Sequence, residues 1–123
     1  MATGAPFTDD VRRFILTSIP SVPYLEAMLL LRGHPDIEWN STTLAQRLYL
    51  SEKAAADLLS ALHAAGVVQE ASTGHRYAPV SDDLREKIDH LAEVYSSHLI
   101  DVANLIHSKT NKKAQQFADA FKW

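Results

Sequence analysis

The chain has 123 residues and a mass of 13.7 kDa, the size of one compact domain. Its 46% hydrophobic and 22% charged content is that of a folded globular chain. Twelve Lys and Arg against fifteen Asp and Glu give a net charge of −3, which excludes nucleic-acid binding through overall charge and leaves only a local patch.

The lack of cysteine excludes a disulfide scaffold, a Cys-ligated zinc or iron–sulfur site and a thiol nucleophile. The longest apolar run, Ala27-Met28-Leu29-Leu30-Leu31, is far shorter than the roughly 18 residues of a membrane span. No basic segment followed by an apolar stretch opens the chain. The expectation is a cytoplasmic protein with no membrane partner.

Residues 1–20 read as a loose tail, Met1 to Pro6, and a short helix. Thr8 caps it, Asp9 and Asp10 sit at the positive end of its dipole, and Ile19-Pro20 stops it near Thr17. Val11, Phe14 and Ile15 repeat at helical spacing. Residues 21–80 open with Ser21 as a second cap and Pro23 in the first turn, where a missing N–H is harmless. The apolar content from Tyr24 to Leu31 covers more than one face, which predicts a buried helix ended by Gly33. Asp36-Ile37-Glu38-Trp39-Asn40 alternates as a short strand, with Trp39 in the core.

Ser41 opens a third helix to about Leu48. After a break at Tyr49-Leu50, Ser51 caps a fourth helix that lasts to Ala65, with Gly66 as its left-handed terminator. Two short helices joined by a tight turn form a helix-turn-helix pattern. Val67 to Glu70 and His75 to Ala78 read as strands joined by Ala71-Ser72-Thr73-Gly74, a hairpin.

Residues 81–123 begin with Ser81 capping a long helix. Along it Leu84, Ile88, Leu91, Tyr95, His98, Val102 and Leu105 recur at alternating steps of four and three, a heptad-like seam suited to dimerisation. Thr110-Asn111 predicts a break, followed by a short helix with Ala114, Phe117, Ala118 and Phe121 on one side.

From Ser21 to Pro79 the order of elements resembles the winged helix-turn-helix superfamily. The stretch Leu58-Leu59-Ser60-Ala61-Leu62-His63-Ala64-Ala65-Gly66-Val67-Val68 looks like its recognition helix running into the first wing strand. The resemblance implies a mainly α fold with a short β-hairpin wing, here extended by an extra N-terminal helix and a long C-terminal helix. It also implies that the outward residues Ser51, Lys53, Ala56, Ser60 and His63 meet the major groove. Arg47, His75 and Arg76 would add contacts to the DNA backbone. The expected partners are double-stranded DNA and a second copy of the chain, with the role of a transcriptional regulator. The alternative is a module that binds another regulatory protein through the face of Glu52, Asp57 and Ser60, without direct DNA contact.

The charge on the expected reading face is thin. From Ser41 to Val80 three basic residues, Arg47, Lys53 and Arg76, stand against Glu52, Asp57 and Glu70, whereas phosphate contacts need several cations. Lys109, Lys112, Lys113 and Lys122 against Asp119 give the last segment a local excess of lysine.

No nucleophile and base are marked, and Gly4, Gly33, Gly66 and Gly74 sit at element ends rather than in a phosphate-cradling loop. Catalysis is not expected. Glu86, His90 and Glu93 share a helical face, with His98 and Asp101 farther along. Such residues also compose an ordinary solvated face, so neither a metal nor a cofactor is expected.

Overall fold

The computed structural model describes the backbone of residues 6–119 and the side chains of residues 6–109. Within these limits the chain is mainly α-helical with one antiparallel hairpin. The order is α1 (Asp9–Ser18), α2 (Val22–Gly33), α3 (Ser41–Leu48), α4 (Glu52–Ala64), β1 (Val68–Ala71), β2 (Gly74–Tyr77), α5 (Asp82–Ser97) and α6 (Leu99–Asp119). The chain divides into two units, Pro23–Glu86 and Met1–Val22 with Lys87–Trp123. Residues 1–20 and most of residues 81–123 therefore share one unit, and the second boundary falls within α5.

In the unit built from both ends of the chain, Thr8 accepts from the Val11 N–H at 3.3 Å and caps α1 as expected. Val11, Phe14 and Ile15, one helical stripe, are buried, and α1 packs against α6. The Lys109 ammonium closes the other end of α1. It donates to the carbonyls of Ile15 at 3.3 Å, Leu16 at 3.2 Å and Ile19 at 2.8 Å. The Ile15 carbonyl also accepts from the Ile19 N–H at 3.1 Å, so the ammonium adds a second bond there, and a cation at the carbonyl end of a helix favours the dipole. Lys109 thus serves inside its own unit. The other tail lysines, Lys112, Lys113 and Lys122, have side chains outside the described residues, as do Phe117 and Phe121.

Two expectations for the C-terminal segment are corrected. The seam helix is not continuous: it breaks at His98, whose N–H donates to Val94 while its carbonyl accepts from Val102. Ile88, Leu91 and Val102 are fully buried within the chain, so these three offer no surface to a second copy in this conformation. Leu84, Tyr95, His98 and Leu105 are only half-buried. The second correction concerns Thr110-Asn111, where helical backbone continues to Asp119. Thr and Asn each cost a helix interior only roughly 0.5–0.7 kcal/mol relative to its best formers, too little by itself to end α6.

The Pro23–Glu86 unit holds the helix pair and the hairpin. Its buried side chains include Tyr24, Leu25, Met28 and Leu31 of α2, Leu44 of α3, Leu59 and Leu62 of α4, and Trp39. α3 starts one residue earlier in capping terms than its serine suggested. Asn40, not Ser41, is the cap, accepting from the Thr43 N–H at 2.9 Å while Thr43 Oγ1 accepts from the Asn40 N–H at 3.0 Å. α4 begins on Ser51, which accepts from the Ala54 N–H at 3.0 Å. It ends with Gly66 at φ 79, the Gly66 N–H on His63 and the Val67 N–H on Leu62. This paired arrangement closes the helix and turns the chain into β1.

The strand expected at Asp36–Asn40 shrinks to a single residue. A turn from His34 to Ile37 and the Asn40 cap use the flanking residues, so only Trp39 pairs with the hairpin. Its N–H donates to the His75 carbonyl and the His75 N–H to its own carbonyl, both at 2.7 Å. The two backbones meet so closely beside Gly74 that a Cβ there would collide with the Trp39 carbonyl. Glycine at 74 is therefore a packing requirement. Gly74→Ala is expected to cost about 2 kcal/mol of unfolding free energy, the usual scale of overpacking. Urea denaturation reads this directly, and an unchanged midpoint would contradict the close approach.

Candidate functional site

The candidate surface comprises the exposed side of α4, the turn before it and the hairpin after it. On α4, Ser51, Lys53, Ser60 and His63 are exposed and Ala56 is half-exposed, while Ala55, Leu59 and Leu62 are buried. The inward and outward faces fall where the three- and four-residue spacing places them. Glu52 and Asp57 share the exposed side.

The cations differ in how firmly they are held. Lys53 meets Asp57 at 3.2 Å, with the two side chains 86% and 70% exposed. Such a pair contributes about 0.3–0.5 kcal/mol, so Lys53 exchanges Asp57 for another anion at little cost. Arg47 is exposed and holds its guanidinium 5.6 Å from the Trp39 ring centroid, a weak attraction at an exposed site. Arg76 is more committed, because its partner Glu38, at 3.2 Å and 24% exposed, belongs to a larger network.

Glu38 fastens the tip of the hairpin. One carboxylate oxygen accepts from the Thr73 N–H and hydroxyl, both at 2.9 Å, and from the Ser72 hydroxyl at 3.3 Å, and the other accepts from Arg76. Neither Ser72 nor Thr73 adopts a positive φ, so the turn lacks the primed geometry that matches hairpin twist. Glu38 supplies the support instead. The Thr73 N–H bond first, then the Thr73 hydroxyl, with Arg76 and Ser72 after them, holds its carboxyl below the ordinary carboxylate range.

His75 sits on β2, half-buried, opposite Glu70 on β1. Its ring lies 5.3 Å from that of His63 at the end of α4. The eight residues expected to form the reading surface, Arg47, Ser51, Lys53, Ala56, Ser60, His63, His75 and Arg76, thus lie in one unit. Only Arg76 has its charge drawn into an internal network.

Two features escaped the sequence reading. Tyr49, expected merely as a break, is 95% exposed and adopts φ 57 as the cap of α3. A left-handed tyrosine costs roughly 1–2 kcal/mol, and the signal available was an aromatic at a helix end where glycine is the usual solution. The second is Glu38, whose partners lie 34 to 38 residues away, so no local pattern reveals it.

No single helix among the described residues is long and apolar enough to cross a membrane. Comparison with family models, curated proteins and solved structures found no match.

The Glu38 network makes a pH prediction. A carboxyl with a lowered folded pKa stabilises the fold fully above the ordinary carboxylate range and loses that contribution as pH falls through the folded value. Glu38→Gln is therefore expected to destabilise the protein at pH 7 and to narrow its difference from wild type at pH 3. Parallel urea curves at the two pH values measure this; a constant difference would contradict it.

Proposed function

We propose that the Pro23–Glu86 unit is a winged-helix DNA-binding domain and that the protein acts as a transcriptional regulator. The observation supporting this reading is one continuous segment: a helix, a three-residue turn, a second helix with an exposed polar face, and a hairpin tied beside it. The second helix enters the major groove with Ser51, Lys53, Ser60 and His63, and its N-terminal end, near Tyr49, approaches the phosphates. Arg47 and Lys53 contact phosphate, each being held only by an interaction too weak to compete.

With few free cations, a single domain binds weakly. A second copy doubles the contacts and raises affinity through effective concentration. The dimer surface assigned by this reading is Leu99 and Ile100, 54% and 70% exposed at the start of α6, in place of the buried part of the seam.

A second reading, a module that binds another regulatory protein, is favoured by the neutral balance of the face and by the pairing of Lys53 with Asp57 and of Arg76 with Glu38.

Fluorescence anisotropy with a mixed-sequence duplex across a salt series separates the two. DNA binding predicts affinity that falls linearly on a log–log plot, with a slope near one per phosphate contact. Arg47→Ala with Lys53→Ala is expected to weaken binding and flatten that slope. No binding at low salt removes the DNA reading. Light scattering of an Ile100→Glu variant tests the dimer, which the substitution is expected to dissociate.

A further inference from the structure

We propose that His63, Glu70 and His75 form a binding site for one divalent cation of the zinc class. A ligand atom from each residue lies within 4.8 Å of the others, and three different elements bring them together. His63 stands on the last turn of α4, just before the Gly66 reversal. Glu70 and His75 face each other across the hairpin.

The backbone explains why this cross-strand pair is close. The N–H and C=O of His75 both point away from β1, to Trp39. Glu70 and His75 are therefore a non-hydrogen-bonded pair, the kind whose side chains approach most nearly in an antiparallel ladder. Val68 and Tyr77, two positions along on the same face, are buried, and α4 packs on β1. The His63 end of α4 consequently meets the outer end of that face.

The donor set selects the metal. Two imidazoles and one carboxylate suit zinc, copper or nickel, whereas calcium and magnesium favour oxygen ligands alone. Tetrahedral ligands at zinc distances lie about 3.3 Å apart, so a cluster whose ligand atoms lie within 4.8 Å of one another contracts by at most about 1.5 Å. His63 and Glu70 are exposed and close that gap by side-chain rotation. Three protein ligands leave a fourth position for water. The bound ion cross-links the end of α4 to both hairpin strands, and a ligand that binds only this folded arrangement stabilises it. The site does not rest on the DNA reading, and its test contains no nucleic acid.

Isothermal titration of the untagged, chelator-treated full chain with zinc chloride tests the proposal. One saturable site per chain and a higher Tm are expected, with no comparable response to magnesium or calcium. His63→Ala and His75→Ala should each weaken zinc binding at least about tenfold, since loss of even an outer-shell partner has effects of that order. Glu70→Gln should weaken it as well. His107→Ala, in the other unit, should leave it unchanged. Because His75 also carries the Trp39 bridge, the exposed His63 provides the decisive variant, with circular dichroism verifying its fold. Absence of zinc binding, or zinc affinity unchanged in folded His63→Ala, would overturn the assignment.

Discussion

Two 2.7 Å backbone hydrogen bonds between Trp39 and His75 join the segment before α3 to the hairpin after α4. An isolated two-stranded hairpin has marginal stability in water, so the ribbon depends on what it is fastened to. It is held along β1 by α4 and along β2 by Trp39. The Trp39 side chain is buried, with His34 and Arg47 rings and guanidinium around it. Burial of an indole and pairing of its backbone act at one residue, which couples the core to the hairpin.

The same attachment positions the chemistry. By occupying the outer edge of His75, Trp39 leaves the His75 side chain beside Glu70 and toward the end of α4. Glu38, the residue just before, reaches the hairpin tip and draws Arg76 with it. Arg76 is thereby anchored, because its partner Glu38 is itself held by Ser72 and Thr73, while Lys53 has only an exposed carboxylate and Arg47 only a ring face. Tyr49 is the other departure from local preference. It projects from the turn between α3 and α4 in a backbone conformation unfavourable to its side chain, and strained, exposed positions of this kind cluster at functional surfaces.

Much of the secondary structure was legible because its signals are local. Thr8, Ser51 and Ser81 announce helix starts, and Gly66 announces an end, through bonds spanning three to five residues. The α4 face was legible for the same reason, since helical spacing sorts Ala55, Leu59 and Leu62 from Lys53, Ser60 and His63. What could not be read depends on distant partners. A continuous heptad pattern does not reveal the break at His98, and it does not distinguish burial within one chain from burial between two. Asp36–Asn40 alternates as a strand should, yet the competing turn and cap leave one residue to pair. His63, Glu70 and His75 have no metal-ligand spacing along the chain and become neighbours only through the strand register.

The hairpin is a structural extension of the segment carrying Trp39, not a free arm. Amide hydrogen exchange followed residue by residue by NMR measures this attachment, because exchange reports local opening. The Trp39, Thr73 and His75 amides are expected to be protected together, close to the level of the α4 amides, although Thr73 lies on an exposed turn. Rapid exchange of these three amides while α4 remains protected would contradict it.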